Sequence, residues 1–138
     1  MRTDLQPRLL RIATPLIAAT RWWRVLLLFL LVAVSTLAIM PRPPASIDFG
    51  WDKLNHVLAF ATLACSAGLG FPAARASRFV VPLALLAYGG LIELLQRWVP
   101  QRSGEWGDLL ADVIGIACGM LVASAVRRAT KPASGAGR

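Results

Sequence analysis

Four long apolar runs separated by short polar stretches dominate the chain. The runs span residues 25–40, 54–71, 79–95 and 109–126. Each contains 16 to 18 residues, close to the roughly 20 that an α-helix needs to cross a bilayer. All five tryptophans stand near the ends of these runs, and indole rings favour the headgroup level of a membrane. The pattern predicts an all-α membrane protein with four transmembrane helices packed in a small bundle.

The composition agrees with a membrane protein and argues against a soluble domain. Of the 138 residues, 57% are hydrophobic and 16% are charged, whereas soluble domains are roughly 45–50% apolar. The formal net charge of +8 would suggest a nucleic-acid partner if it formed one face of a soluble domain. Here the basic residues flank the apolar runs, so the expected partner is the lipid bilayer and not nucleic acid.

Lysine and arginine are distributed unequally between the two sides of the predicted bundle. Eleven of the fifteen lie before the first run, between the second and third runs or after the fourth run, and four lie on the opposite side. Because cytoplasmic loops carry the excess of these residues, both termini are predicted to be cytoplasmic. Residues 1–24 then form a basic segment, in which 5–20 is compatible with an interfacial helix. Residues 25–126 form the transmembrane domain, and residues 127–138 form a disordered basic tail.

Polar side chains are concentrated at the predicted outer ends of the helices. Six of the seven acidic residues lie before the second run, near the end of the third or around the start of the fourth. Asp52, Asn55 and His56 have a spacing that places them on one face of a helix, as do Glu93 and Gln96. Because these helix ends lie on the same side of the predicted bundle, we expect one polar cluster at one membrane surface.

Small residues accompany these polar groups. Gly89 lies one helical turn before Glu93. The fourth run carries a helical stripe of acidic residues and glycines: Asp108, Asp112, Gly115 and Gly119. The spacing of the two glycines in this stripe is the small-xxx-small pattern that lets helices approach closely. We therefore predict Gly89, Gly115 and Gly119 as helix-packing positions and expect Asp112 to face a neighbouring helix.

Depth in the membrane separates the polar residues. A charged side chain at the bilayer centre costs on the order of 2.5–3.5 kcal/mol on insertion scales, and far less at the helix ends. Boundary residues such as Lys53 and Asp108 need little explanation. His56, Glu93 and Asp112 lie about one helical turn, or roughly 5 Å, deeper. These three are therefore the principal candidates for catalysis or binding.

Simpler interpretations stand beside this one. Asp52 with Lys53, and separately Asp108, are compatible with helix starts at which a carboxylate caps free backbone N–H groups. His56 is compatible with a hydrogen-bonded packing residue. Glu93 and Asp112 are compatible with static ion pairs to Arg97 or Arg102 that hold the helices together.

The order of these motifs resembles the VanZ-like family of small bacterial membrane proteins. The resemblance covers about residues 51–120 and rests on a D-K-x-x-H opening of the second run, E-x-x-Q at the end of the third and an R-x₅-D-x₃-[N/D]-x₂-G run into the fourth. The residues that carry it are Asp52, Lys53, His56, Glu93, Gln96, Arg102, Asp108, Asp112 and Gly115. The family commonly has Asn at the position of Asp112, so this chain adds a carboxyl group there.

The resemblance implies a multi-pass protein of the bacterial cytoplasmic (inner) membrane. The family is named for a protein linked to resistance to teicoplanin, a lipoglycopeptide antibiotic, so a role in glycopeptide resistance is one implied function. The family has no established biochemical activity that could be carried over to this chain.

The polar cluster is predicted to bind, or act on, an envelope lipid or a lipid-linked precursor. Its predicted ligand-binding residues are Asp52, Lys53, His56, Glu93, Gln96, Arg102, Asp108 and Asp112. Lys53 and Arg102 would meet an anionic headgroup. Glu93 and Asp112 would set their charge and orientation, and His56 would carry a proton at neutral pH.

Two other functions fit the same residues. An intramembrane enzyme would use His56 as a general base, or as a metal ligand beside Glu93 and an aspartate. The sequence has one histidine, scattered carboxylates and no HExxH spacing, which are too few ligands for a recognisable metal motif. We therefore predict no metal site, and the sequence identifies no cofactor. A non-catalytic partner or assembly subunit would use the cluster as a structural network and the glycines as an interface with another membrane protein.

Overall fold

Every secondary-structure element in the described part of the chain is a helix. The computed structural model describes residues 20–41, 52–73, 76–100 and 105–130, without the side chains at 52, 76 and 77. Its helices are α1 (Thr20–Ile39), α2 (Asp52–Gly70), α3 (Val81–Gln96) and α4 (Trp106–Ala129), and a single π-helical turn (Ala76–Val80) leads into α3. No strand occurs in these ranges, so the prediction of an all-α chain with four helices is confirmed.

Among the described residues, three helical segments are long and apolar enough to cross a membrane. They are Thr20–Ile39, Arg78–Gln96 and Trp106–Ala129. A 20-residue helix is about 30 Å long, which matches the hydrocarbon core of a bilayer. The helix α2 is not among the three, because its first turn contains Lys53, Asn55 and His56, which lower its mean hydropathy. That α2 also crosses the membrane, and that both termini are cytoplasmic, stay predictions.

The helix α2 lies at the centre of the bundle. Its most extensive packing is against α4, followed by α1. Phe60, Leu63 and Ala64 of α2 are buried, whereas large apolar side chains on the other helices point outward. Leu28 of α1 is 64% exposed and Leu121 of α4 is 70% exposed. Apolar surface of this extent suits contact with lipid and not with water, and α2 is shielded from that lipid by its neighbours.

Glycine allows α2 and α4 to pack with their backbones close together. A Cβ atom on Gly115 would lie 2.5 Å from the Val57 carbonyl oxygen, and one on Gly119 would overlap the Ala61 carbonyl oxygen. No larger residue fits at either position without moving a helix. This close approach is what lets the short side chain of Asp112, one turn before Gly115, reach α2.

Arginines cap the other end of α2. Arg24 Nε donates a hydrogen bond of 2.8 Å to the Gly70 carbonyl, and Arg127 Nη1 donates one to the Gly68 carbonyl. The last carbonyls of a helix lack partners within the helix and carry the negative end of its dipole, so two guanidinium groups both satisfy and neutralise this end. The basic end of the bundle is therefore opposite to the end at which α2 begins.

Candidate functional site

The start of α2, the end of α3 and the start of α4 meet at one end of the bundle. Consecutive helices run in opposite directions, so His56 of α2, Glu93 of α3 and both Asp108 and Asp112 of α4 come within reach of one another. Glu93, Asp108 and Asp112 are all buried, with at most 8% of each residue exposed. Burial of three carboxyl groups around one imidazole is costly unless each has a compensating interaction, so the site is unlike a solvated helix end.

A hydrogen bond between His56 and Asp112 is the best-defined contact of the site. His56 Nδ1 lies 2.8 Å from Asp112 Oδ1, with 11% of the histidine side chain and none of the aspartate side chain exposed. With Asp112 ionised, its carboxylate can only accept, and Nδ1 is then the donor. The Phe60 ring lies parallel to the imidazole, at a centroid distance of 6.5 Å and an interplanar angle of 3°. Together these contacts fix the plane and the tautomer of the imidazole.

Gly89 of α3 makes room for this pair. A Cβ atom at Gly89 would overlap Asp112 Oδ2 and lie 3.1 Å from Phe60 Cζ. Asp112 therefore packs against the backbone of α3 at Gly89. Its Oδ2 makes no hydrogen bond within the described residues. Gly89 acts as a packing position here because it abuts the site itself.

Glu93 faces the other nitrogen of the imidazole without bonding to it. Glu93 Oε1 lies 3.9 Å from His56 Nε2, beyond hydrogen-bond distance. Only 8% of Glu93 is exposed. Its carboxyl group interacts with the Glu105 backbone, and neither oxygen makes a hydrogen bond of good geometry within the described ranges. The gap between these two atoms is large enough for a third group to bridge them.

Asp108 and Lys53 lie on the outer side of this gap. Lys53 Nζ is 3.7 Å from Asp108 Oδ1 and 3.3 Å from Glu105 Oε2. The lysine and Glu105 side chains are more than half exposed, so their pairing contributes little to stability. One ligand atom each from His56, Glu93 and Asp108 lie within 4.8 Å of one another. Within the described residues, this triple is close enough to hold one metal ion.

The remaining predicted residues are placed differently. Gln96 is buried, but its Nε2 donates to the Ala38 carbonyl at 3.3 Å, so this amide joins α3 to the end of α1. Asp52 begins α2, and its side chain lies outside the described part of the chain, as does all of Arg102. The proposed contact of Arg102 with a headgroup stays a prediction.

A cavity between α3 and α4 reaches the site from the side. It has a volume of about 330 Å³, at the small end of the roughly 300–1,000 Å³ typical of ligand pockets. Its lining consists of Gly90, Glu93, Leu94, Arg97, Glu105, Trp106 and Leu109. Leu94 and Trp106 are exposed on the lipid-facing side, while Glu93 joins the cavity to His56. An apolar entrance thus ends at buried polar groups.

Arg97 is the cavity residue that sequence reasoning left out of the site. It is one helical turn beyond Glu93, so the same spacing that joined Glu93 to Gln96 could have indicated it. The sequence instead indicated a place in the outer polar cluster and a static ion pair with Glu93 or Asp112. The contribution of Trp106 depends on how α3 and α4 pack, and no local spacing predicts that.

The order and spacing of the site residues can be compared with known families. The sequence model of the VanZ/LLP1 family matches residues 35–127. The chain belongs to the VanZ/LLP1 family. The match runs from the second half of α1 almost to the end of α4, and it includes every described residue of the site. No curated protein and no solved structure matches the chain. Family membership and apolar helices together make this VanZ/LLP1 member a multi-pass membrane protein.

Proposed function

We propose that this VanZ/LLP1 protein binds the phosphate-bearing headgroup of a membrane lipid in the α3–α4 cavity. The observation that carries the proposal is the shape of this cavity, with apolar walls on the lipid side and Glu93 at its inner end. A lipid has the matching division between acyl chain and polar headgroup. A lateral opening between two helices would admit such a molecule without moving it through water.

Arg97 is the cation best placed to meet the phosphate. It lines the cavity, and a guanidinium group can bind phosphate through two parallel hydrogen bonds. Lys53, which was expected to share this role, lies close to Glu105 and Asp108. The acidic inner end then orients the headgroup, whose phosphate stays near Arg97 and away from Glu93. The natural ligand would be an anionic envelope lipid or a lipid-linked precursor on the outer surface of the inner membrane.

Acid–base chemistry on that lipid is a second candidate function. The specific observation in its favour is the bond of 2.8 Å between His56 Nδ1 and Asp112. A carboxylate that holds one imidazole nitrogen leaves the other free to accept a proton from a substrate hydroxyl or water. Nε2 points towards the gap beside Glu93, so a bound headgroup would reach it from the cavity.

Closing the cavity tests the proposal. Leu94→Trp should fill the entrance, whereas Leu83→Trp makes the same change on an exposed face of α3 that does not line the cavity. Each full-length variant would be purified in detergent, stripped of lipid, incubated with phosphatidylglycerol and examined by native mass spectrometry. We expect wild type and Leu83→Trp to retain one lipid, and Leu94→Trp to retain none.

Arg97→Gln distinguishes recognition of the headgroup from nonspecific binding of a lipid to the apolar walls of the cavity. The variant should lose most of the retained phosphatidylglycerol, while Arg128→Gln, at the opposite end of the molecule, should retain it. Equal retention by wild type, Leu94→Trp and Arg97→Gln would overturn the lipid proposal. It would favour a non-catalytic assembly subunit whose polar cluster only holds the helices together.

A role in teicoplanin resistance is a separate proposal that follows from the family. If headgroup binding underlies it, expression of the wild-type protein should raise the teicoplanin concentration that stops growth, and Leu94→Trp should not. The same shift with both proteins would disconnect resistance from the cavity.

A further inference from the structure

Nε2 of His56 and two carboxylate oxygens form a group of three hydrogen-bond acceptors. Since Nδ1 donates its proton to Asp112, the neutral imidazole presents a lone pair on Nε2. Glu93 Oε1 lies 3.9 Å in front of this nitrogen, and an Asp108 oxygen completes a group within 4.8 Å. Acceptors gathered at this distance repel one another unless something positive lies between them.

The charges of the described residues at this end of the bundle are unbalanced. Carboxyl groups of Glu93, Asp108 and Asp112 are buried. Of the nearby cations, Lys53 is shared between Asp108 and the exposed Glu105, and Arg97 lies in the cavity wall. Glu93 is the clearest case, because it is more than nine-tenths buried and faces Nε2. It interacts with the Glu105 backbone, but neither of its oxygens makes a hydrogen bond of good geometry within the described residues. A carboxylate buried in this position is stabilised by a cation.

We propose that His56 Nε2, Glu93 and Asp108 bind a divalent transition-metal ion. Ligand atoms within 4.8 Å of one another can surround one ion at bonds of about 2.0–2.2 Å after small side-chain adjustments. A donor set of one imidazole and two carboxylates suits zinc or manganese, whereas magnesium and calcium favour oxygen ligands alone. The fourth position would face the α3–α4 cavity, because Glu93 lines it.

Asp112 has the position of a supporting group for this metal site. A histidine that binds a metal through one nitrogen usually donates the other N–H to a carboxylate, which fixes the ring and makes it a better ligand. The His56–Asp112 bond has this geometry. Asp112 is thus a positioning residue, and it lies outside the ligand triple.

Metal titration of the full-length protein tests the inference. The protein, treated with a chelator and held in phospholipid-free detergent, would be titrated with Zn²⁺ and, separately, with Mn²⁺ in a calorimeter. We expect one ion per chain for at least one of the two. Glu93→Gln and Asp108→Asn should each weaken binding at least about tenfold, and Asp112→Ala should weaken it by about 10–100-fold. Cys118→Ser, which removes an exposed thiol of α4 outside both the cavity and the ligand triple, is the control and should bind as wild type does.

The single histidine supplies a readout that does not depend on any variant folding. In ¹⁵N-histidine-labelled wild type, the bound metal should shift the Nε2 resonance of His56 and leave Nδ1 protonated. If neither Zn²⁺ nor Mn²⁺ binds at one ion per chain, the proposal is overturned. Binding that leaves the Nε2 resonance unchanged would also overturn it. In either case a proton would be the cation that neutralises Glu93.

The metal proposal and the lipid proposal can be refuted independently of each other. The titration contains no phospholipid, so a metal that binds there does not depend on the lipid. Leu94→Trp should lose lipid and keep metal affinity, because Leu94 lies in the cavity wall and not in the ligand triple. A variant series that loses both ligands together would contradict two sites with separate residues.

Discussion

Two adjacent glycines in α3 allow the packing of the site to be tested with a matched pair of substitutions. A methyl group on Gly89 would overlap Asp112 Oδ2 and approach Phe60 Cζ to 3.1 Å, whereas nothing lies within 4 Å of a methyl group on Gly90. Asp112 is fully buried and tied to His56, so its carboxylate cannot move aside freely. Gly89→Ala should therefore disturb the site, and Gly90→Ala should not.

The magnitudes follow from these contacts. Overpacking of this kind costs about 1–3 kcal/mol, and replacing glycine by alanine inside a helix contributes up to about 1 kcal/mol of stability. Both variants gain the second effect and only Gly89→Ala bears the first, so the two should differ by roughly 1–3 kcal/mol in free energy of unfolding. The assay is unfolding by SDS in mixed micelles, followed by helical circular dichroism. Equal stability of the two variants, or greater stability of Gly89→Ala, would refute the description of the site.

Further variants test the rest of the bundle. Arg127→Gln removes the charged donor from an α2 carbonyl and should cost about 1.5–3 kcal/mol; a loss as large for the exposed Arg128→Gln would show that charge alone, and not the cap, matters. Tyr88→Phe removes the hydroxyl that bonds Ser35 at 2.8 Å and donates to the Leu31 carbonyl at 3.1 Å. At about 0.6 kcal/mol for each bond, a typical value inside membranes, the loss should be about 1.2 kcal/mol, and a cost above about 3 kcal/mol would contradict two simple lost hydrogen bonds. Alkaline phosphatase fused within residues 101–104 should be active, and activity of a cytoplasmic reporter at the same point would reverse the predicted orientation.

The helices and their meeting point could be predicted because they depend on local pattern. Apolar runs of near-membrane length and the asymmetry of Lys and Arg require no knowledge of tertiary contacts. The spacing of Asp52 and His56, with acids at the neighbouring helix ends, was enough to place polar groups at one end. The structure begins α4 at Trp106, before the apolar run itself, because a polar first turn can be helical without being apolar.

The partners within the site could not be predicted, because they depend on how closely and at what angle the helices cross. Glu93 and Asp112 were equal candidates to meet His56, and only packing distinguishes the bond of 2.8 Å from the separation of 3.9 Å. Gln96 shares a helical face with Glu93, yet it bonds to α1. The α3–α4 cavity is likewise a property of two packed surfaces, and neither helix reveals it alone.

The carboxyl group of Asp112 follows from the same contacts. An asparagine at this position could accept the same hydrogen bond from His56 through its side-chain oxygen. Its amide nitrogen would then take the place of Oδ2 beside Gly89. The carboxylate adds negative charge behind the imidazole, which makes Nε2 a stronger base and a stronger ligand.

¹⁵N NMR of the imidazole tests the site most directly, because His56 is the only histidine in the chain. In the structure Asp112 holds Nδ1 in a buried hydrogen bond and Nε2 faces Glu93. We expect a protonated Nδ1 whose proton exchanges slowly with water in wild type and rapidly in Asp112→Ala. A proton carried on Nε2 alone, or the same rapid exchange in both proteins, would contradict this arrangement.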